Sequence, residues 1–306
     1  MLLKIGSRGA EVKELQEMLG IPADGIFGSQ TATEVKKFQK ENGLSVDGIV
    51  GPNTLKVLNA STDLEENPEK EEPKENTKPV EVLRSGSIEI KQQFLPSGEY
   101  KKGPTNKEYL FLHHTAGWHN PYNVISQWGR DSRGAVATEF VLGGQSVKGN
   151  ENKYDGEIVQ AFPEGGYGWH LGKNGSQRMH TNSVGIEVCN FSYLNDQNKT
   201  YAGVTAHESQ IVTLAEAFKG KKRWHRYSDA QIESLRQLIL HIANRDNIDV
   251  RKGLVAEVRA KGAAGFEFNS DAFYGKIKGM WTHTNTRKDK SDMFPQQELL
   301  DMLLSL

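Results

Sequence analysis

The stretch Tyr109-Leu110-Phe111-Leu112-His113-His114-Thr115 decides the fold class of this chain. Four consecutive apolar residues between polar flanks predict a short buried β-strand, and that strand ends at two adjacent histidines. The runs 140–142 and 158–162 have the same character and predict two more strands. Several short apolar strands within one region indicate a sheet with a buried core.

A further strand is predicted at residues 184–189, where the sequence alternates. Val184, Ile186 and Val188 share one face of this strand, and Glu187 lies on the other face. A strand that packs its aliphatic side chains on one side can present a carboxylate to a cleft on the opposite side.

Helical patterns follow the strands. Ser228 with Gln231 three residues later forms a capping-box pattern. A stripe of apolar residues with helical spacing then predicts a buried helix face, at Ile232, Leu235, Ile239 and Ile242. Leucines at 299, 300, 303 and 304 predict a final helix. Residues 86–306 are therefore predicted to form an α/β domain with a mixed sheet flanked by helices.

Residues 1–60 have a different organisation. An internal repeat occurs there, Asp-Gly-Ile-Phe-Gly-Ser-Gln-Thr at 24–31 and Asp-Gly-Ile-Val-Gly-Pro-Asn-Thr at 47–54. Each copy predicts a tight turn, a buried aliphatic residue and a helix start. Apolar residues with helical spacing surround the repeats, including Val12, Leu15, Val35, Leu55 and Leu58. We expect a small all-α domain of three short helices, and the absence of His and Cys argues against a catalytic role.

Residues 61–85 are predicted to be a disordered charged linker between the two domains. The segment 61–83 holds eight acidic residues, three lysines and three prolines, and it has no aromatic residue. Such a composition cannot bury enough apolar surface to offset the entropy of ordering. A solvated charged helix over 65–75 is the alternative interpretation.

Composition excludes several classes of protein. The formal net charge of the 306 residues is −1, and only a mild positive excess falls on the C-terminal region, so we expect no nucleic-acid partner. No apolar run approaches the roughly 18 residues of a membrane-spanning helix, so we expect no stable membrane insertion. A single cysteine, Cys189, excludes an internal disulfide and a cysteine-rich zinc module. We interpret Cys189 as a small buried apolar residue and expect a monomer.

Three histidine-containing segments are candidates for a metal site. They are 112–116 at a strand end, 168–172 (Gly-Trp-His-Leu-Gly) and 281–292, which begins Trp-Thr-His. A catalytic zinc takes three protein ligands from His, Asp, Glu or Cys and keeps a fourth position open. Two adjacent histidines on a strand cannot easily face one ion. Spacing alone does not choose among the candidates.

The N-terminal motifs resemble a known family. Gly-Ser-Arg-Gly at 6–9, followed by Val12, Leu15 and Gln16 and then by the two repeats, is similar to the small three-helix peptidoglycan-binding domain. The resemblance covers nearly all of residues 1–60. It implies binding to bacterial peptidoglycan.

The C-terminal motifs resemble the zinc-dependent N-acetylmuramoyl-L-alanine amidases, a family that includes the peptidoglycan recognition proteins. The motifs occur in the family order at 111–116, 168–172, 183–187, 282–283 and 290–292. The resemblance implies that one Zn²⁺ ion is bound by three ligands, His113, His283 and Asp292. It further implies that Glu187 is the general acid and base, that Lys290 stabilises the oxyanion, and that His170 contacts substrate.

Other residues receive different interpretations. His114 is expected to be structural or to support the ligands. Glu139 is a minor alternative to Glu187 as the base, and Thr138 stands where some phage relatives have a tyrosine. The segment 251–278 is longer than the minimal family core. Its Gly-Ala-Ala-Gly run at 262–265 predicts a flexible loop, with the alternatives that it shapes the substrate groove or is an elaboration without a role there.

The combined prediction is a modular peptidoglycan hydrolase that cleaves the amide between N-acetylmuramic acid and L-alanine. The absence of a signal-peptide pattern suggests synthesis in a host cytoplasm and action on the cell wall after release, as in a phage endolysin. Two alternatives remain at this point. One is a non-catalytic peptidoglycan receptor, and the other is an intracellular amidase of muropeptide recycling.

Overall fold

The structure is a computed structural model that describes residues 3–19, 21, 23–41, 44–51, 54, 88–172 and 175–306. The chain divides into two compact units, Met1–Val80 and Glu81–Leu306. The predicted linker at 61–85 and the predicted third N-terminal helix, with Leu55 and Leu58, lie outside the described residues.

The N-terminal unit contains helices α1 (Ala10–Met18) and α2 (Ser29–Glu41). Backbone bridges join Leu3 to Val50 and Arg8 to Ile26, so the segments around the helices close onto one another. The helices and these segments bury one apolar cluster: Leu3, Val12, Leu15, Phe27, Ala32, Val35 and Val50. The expected helical character of this region is confirmed for its described residues.

Each sequence repeat is held by a buried glutamine. The Gln16 amide donates to Asp24 Oδ1 at 2.8 Å and to the Ile26 carbonyl at 3.0 Å, while its Oε1 accepts from the Gly25 amide at 2.8 Å. Gln39 makes the equivalent contacts in the second copy. Burial of an amide is tolerated because its donors and acceptor are all satisfied by the turn.

The strands of the C-terminal unit are β1 Ile90–Gln92, β2 Lys101–Lys102, β3 Tyr109–His114, β4 Phe140–Leu142, β5 Ile158–Gln160, β6 Gly166–Tyr167, β7 Ser183–Val188, β8 Ile211–Phe218, β9 Lys221–His225 and β10 Gly279–Thr282. Six of them form one sheet in the order β1-β5-β4-β7-β3-β10. All neighbouring pairs in this sheet are parallel except β4 with β5. Two further two-stranded sheets pair β2 with β6 and β8 with β9.

Helices of this unit flank the sheet. They are α3 Pro121–Trp128, α4 Gln177–Thr181, α5 Asp229–Asp246, α6 Leu254–Lys261, α7 Ser270–Phe273, α8 His283–Thr286 and α9 Gln297–Leu304. Helix α5 begins at the predicted capping box, in which Ser228 and Gln231 satisfy each other's backbone amides. None of the helices in the described part of the chain combines the length and apolar character that crossing a bilayer requires.

The two faces of the sheet pack against different residues. Leu110, Leu112 and the predicted aliphatic face of β7 join a large core with the apolar side of α5 and with α9. Phe111 faces the opposite side, in a cluster with Trp281 and Leu171. The strand alternation therefore places successive side chains of β3 in different environments. The predicted α/β class with a mixed sheet is confirmed.

The prediction of a flexible loop at 262–265 is wrong. Residues Gly262–Phe266 form a 3₁₀ helix directly after α6. A Cβ atom at Gly265 would lie 2.7 Å from the Val258 backbone nitrogen, so the chain packs there at a distance that only glycine permits. Gly265 permits this close packing. None of residues 251–278 lines the cleft that contains His113 and Glu187.

Candidate active site

The candidate site lies where three parallel strands end side by side. His113 of β3 is the register partner of Glu187 of β7. Thr282, the last residue of β10, pairs with Leu112, so His283 follows at the level of His113. The carboxyl ends of parallel strands are the common place for ligand sites in such sheets. The topology therefore brings together residues that lie far apart in sequence.

Strand alternation separates the two adjacent histidines. The His113 ring follows the face of Phe111 and reaches the candidate site, whereas the His114 ring lies on the opposite face. There His114 Nδ1 is 2.8 Å from the Tyr227 hydroxyl, and the ring packs near Phe294. His114 is buried in the core and is absent from the group of possible metal ligands. This agrees with the structural or supporting role expected from the sequence.

The three predicted ligand side chains converge. His113 Nδ1 lies 3.1 Å from His283 Nδ1, and Asp292 Oδ2 lies 3.1 Å from His283 Nδ1 and 3.5 Å from His113 Nδ1. All three residues are buried. Within the described residues, this is the group of His, Cys, Asp and Glu side chains that can hold a metal ion.

The spacing of these atoms fits a tetrahedral zinc site. Ligand atoms about 2.0–2.1 Å from one tetrahedral ion lie roughly 3.3–3.4 Å from each other, close to the three distances here. Two imidazole nitrogens and a carboxylate oxygen are also a donor set that zinc accepts. The backbone supports the arrangement, because the Thr284 amide donates to the Asp292 carbonyl at 3.1 Å.

Electrostatics favour a charged carboxylate at Asp292 and a neutral imidazole at His113. Burial by itself would raise the pKa of Asp292, but hydrogen bonds from His113 and His283 outweigh it and hold this pKa well below its usual range. Burial lowers the pKa of His113 to about 4, against the opposing effect of Asp292. A deprotonated ligand set is what a cation requires.

Glu187 lies beside this cluster and lines the same cleft. Its side chain is half-buried. Burial raises the pKa of Glu187 to about 8, the Asp292 charge adds to the rise, and Lys290 opposes it. A carboxylate whose pKa lies near neutrality is suited to accepting and returning a proton.

The cleft has a volume of about 870 Å³, and its lining includes the three candidate metal ligands and several aromatic side chains. Lys290 lines it and is half-buried. Trp118 and Tyr201 also line it, with 44% and 70% of their surface exposed, and the Trp118 ring packs edge-on against Phe191 at 5.0 Å. Sequence reasoning missed these aromatic residues, since single exposed rings in loops carry no periodic signal.

His170 reaches the cleft from the loop before α4. It is buried, and its ring nitrogens face His113 Nε2 at 2.9 Å and the Ser183 hydroxyl at 2.7 Å. The sequence prediction placed His170 near the site, but the contact with His113 had no sequence signal.

The alternative base, Glu139, does not belong to the site. It is buried away from the cleft lining, where Arg245 donates to its two carboxylate oxygens at 2.6 and 3.1 Å. A carboxylate paired with a guanidinium in this way has a structural role, so the alternative is wrong. Cys189 is fully buried as predicted, and burial raises the pKa of its thiol.

The fold and the site together define an α/β domain with a buried His-His-Asp group that could hold a metal ion, beside the carboxylate of Glu187. The model of the N-acetylmuramoyl-L-alanine amidase family matches residues 103–290, and the chain belongs to this family. The model of a putative peptidoglycan-binding domain matches residues 8–58.

Several solved structures match parts of this chain. A fused Zn-dependent amidase/peptidase/peptidoglycan-binding protein from Clostridium acetobutylicum is 38% identical over 19% of this chain and 29% of its own, with a TM-score of 0.19. A mutant endolysin from Bacillus subtilis is 18% identical over 54% and 80%, with a TM-score of 0.34. The E. coli amidase AmiD is 20% identical over 48% and 46%, with a TM-score of 0.30.

This chain thus spans less than a third of the C. acetobutylicum relative. Among curated proteins, none matches the chain significantly.

Proposed function

We propose that this protein is a zinc-dependent peptidoglycan hydrolase that cleaves the amide between N-acetylmuramic acid and L-alanine. The observation that carries the proposal is the convergence of His113 Nδ1, His283 Nδ1 and Asp292 Oδ2 beside Glu187, within a domain of the amidase family. His113, His283 and Asp292 would hold one Zn²⁺ ion. When bound, zinc activates a water molecule and polarises the scissile carbonyl.

Glu187 is proposed as the general base and then the general acid. Its carboxylate lies on the cleft face of β7, and His113 lies opposite it on the adjacent strand β3. Amide hydrolysis requires removal of a proton from the attacking water and delivery of a proton to the leaving amine. One carboxylate with a pKa raised towards neutrality serves both steps in turn.

Lys290 is proposed to stabilise the negative charge that develops on the carbonyl oxygen. It lies two residues before Asp292 and lines the cleft, and the salt bridges of the described residues do not include it. An ammonium group held beside the reacting carbonyl stabilises the developing negative charge more strongly in a partly buried cleft than in water.

The aromatic region of the cleft fits the sugar part of this substrate. Trp118 and Tyr201 present exposed rings at the edge of the cleft that contains Glu187. The apolar faces of a pyranose ring pack on aromatic rings, while the stem peptide leaves the scissile amide in the other direction. The two rings are therefore proposed to contact the glycan.

The N-terminal unit is proposed to bind peptidoglycan and to hold the hydrolase at the wall. The match to a putative peptidoglycan-binding domain over residues 8–58 supports this role. Tethering raises the effective concentration of a catalytic domain at an insoluble substrate. Action on the wall as a phage endolysin, after release from the host cytoplasm, is the biological setting proposed.

Digestion of purified sacculi tests the proposal. New L-alanine amino termini and new reducing sugars are measured before chelation, after chelation and after zinc is restored. We expect zinc-dependent amino termini without reducing sugars, and His283→Ala is expected to lose both zinc and turnover. Reducing sugars would identify a glycosidase. Retained binding to sacculi without any cleavage would identify a non-catalytic receptor.

Soluble muropeptides distinguish wall lysis from muropeptide recycling. An enzyme that acts on the wall is expected to prefer intact sacculi, because its N-terminal unit binds them. A preference for soluble fragments would contradict the endolysin proposal and leave the amidase assignment intact.

A further inference from the structure

A chain of hydrogen bonds runs from the candidate metal ligand His113 into the core. It begins at His113 Nε2, which lies 2.9 Å from His170 Nδ1, and continues from His170 Nε2 to the Ser183 hydroxyl at 2.7 Å. The Ser183 hydroxyl donates to the His180 carbonyl at 3.4 Å. The side chains of His113, His170 and Ser183 are all buried.

The direction of these hydrogen bonds follows from the first ligand. If His113 Nδ1 offers its lone pair to a cation, the neutral ring carries its proton on Nε2. That N–H donates to His170 Nδ1, which must then be unprotonated. The remaining nitrogen, His170 Nε2, carries the proton and donates to Ser183. With the proton on Nε2 of both His113 and His170, every hydrogen bond in the series has one donor and one acceptor.

Two neighbouring residues, Gly185 and Phe111, restrict the position of the His170 ring. Gly185 lies beneath it in β7, and a Cβ atom there would lie 3.1 Å from His170 Nδ1. The Phe111 ring packs against it at 5.9 Å between centroids. The ring is thereby held against the β3–β7 pair, on the side where His113 emerges.

The second imidazole of the cluster has no such support. His283 Nε2 is buried and has no hydrogen-bond partner among the described residues. The His283 segment is instead held through its backbone, where the Arg287 amide donates to the His283 carbonyl at 2.9 Å. Among the described residues, His113 is therefore the imidazole of the pair whose outer nitrogen has a hydrogen-bond partner.

We propose that His170 is a positioning residue that fixes the tautomer and ring orientation of His113, with Ser183 fixing His170 in turn. The proposal rests on the metal site of the proposed function. In this arrangement both ring nitrogens of His170 are hydrogen-bonded to protein atoms, His113 Nε2 and the Ser183 hydroxyl. Neither nitrogen is then available for a hydrogen bond to substrate. A contact between substrate and His170 would involve only ring carbon atoms.

Zinc affinity tests the proposal without any substrate. The full-length apoprotein is titrated with zinc against a competing chelator, and circular dichroism checks that each variant is folded. We expect His170→Leu to raise the Kd for zinc by roughly 10- to 100-fold, the usual effect of losing a partner of a metal ligand. His170→Gln keeps an acceptor and a donor, so it is expected to recover part of the affinity, and Ser183→Ala is expected to lose less than His170→Leu.

A matched control is His225→Gln, which alters a buried histidine whose ring is hydrogen-bonded to the Phe191 amide rather than to a metal ligand. Its zinc affinity is expected to equal that of the wild type. A folded His170→Leu variant with unchanged zinc affinity would overturn the proposal. If the wild-type protein does not bind zinc, the metal site on which this proposal rests is wrong.

Nuclear magnetic resonance of the histidine rings tests the direction of the hydrogen bonds. Long-range proton–nitrogen spectra of the zinc-loaded protein are expected to show the Nε2–H tautomer for both His113 and His170. An Nδ1–H tautomer at His170 would contradict the proposal. Neither measurement uses peptidoglycan, so an inactive but zinc-binding protein would count against the proposed function alone.

Discussion

Glu187 lies directly across the β3–β7 pair from His113. Paired residues of parallel strands point to the same face, and neighbouring strands are about 4.8 Å apart. The sheet itself therefore holds a carboxylate next to a metal-ligand candidate, without any contribution from a mobile loop. Rigid strand ends are suited to keeping catalytic groups in a fixed geometry.

Glu187→Gln is expected to retain zinc and to lose most turnover, by about 10²- to 10⁴-fold in kcat, because the amide cannot accept a proton. The substitution preserves side-chain size, so the fold and the cluster should persist. Release of L-alanine amino termini and the zinc content of the purified variant are the measurements. Full activity of this variant would refute the general-base assignment.

The same residue governs the expected pH dependence. The base works only when ionised, so kcat/KM should rise with pH as Glu187 loses its proton. Burial raises its pKa to about 8 from an ordinary 4.5. A bound cation acts in the opposite direction, so the midpoint of the acid limb is expected between these two values. A midpoint below 4.5 would show that burial does not control this carboxylate.

Lys290→Met is expected to lower kcat by about 10²-fold or more with little change in KM, since the lost interaction forms only as charge develops on the carbonyl oxygen. Lys288→Met is the matched control. Lys288 is exposed and lies over the Phe268 ring at 4.8 Å, outside the cleft lining. Steady-state kinetics on one soluble muropeptide compare the two. Equal losses would remove Lys290 from the mechanism.

Trp118→Ala and Tyr201→Ala are expected to raise KM for substrates with several sugars, by about 2- to 10-fold each, if an aromatic contact contributes about 0.5–1.5 kcal/mol. A single-sugar muropeptide should be affected less. Tyr274→Ala removes a ring that is 51% exposed outside the cleft lining and serves as the control. An equal effect on both substrates would argue against a glycan contact.

His225→Gln is expected to make the stability of the protein less sensitive to acid. Burial lowers the pKa of His225 to about 3 from an ordinary 6.5. As the pH falls below 6.5, the unfolded chain takes up a proton that the folded chain refuses, so stability is lost progressively down to about pH 3. Urea unfolding at pH 7 and pH 5 measures the difference. The variant should lose less stability on acidification than the wild type.

Gln16→Ala is expected to destabilise the N-terminal unit by about 1–3 kcal/mol, because the Gly25 amide and the Asp24 carboxylate lose their buried partner. Glu11→Ala, at an exposed position of α1, is the control. Calorimetry of the full chain and binding to sacculi are the measurements. Hydrolysis of a soluble muropeptide should stay unchanged, and its loss would mean that the two units depend on each other.

Features encoded locally were predictable from the sequence. The alternation in 184–188 predicted which face of β7 packs in the core and which face carries Glu187. The capping box at Ser228 predicted where α5 begins. Two-residue and 3.6-residue periods are properties of the backbone, so short segments are sufficient to reveal them. The histidine pair at the end of β3 was likewise visible, as was the direction of His113 opposite to that of His114.

The sequence by itself thus determined the class of fold and a list of candidate groups. Only the tertiary structure decided how they combine: His113 and His283 are 170 residues apart, and they meet because β10 pairs with β3. The contact of His170 with His113 and the close packing at Gly265 arose in the same way. Strand order and packing distance depend on contacts across the whole chain, and no local period records them.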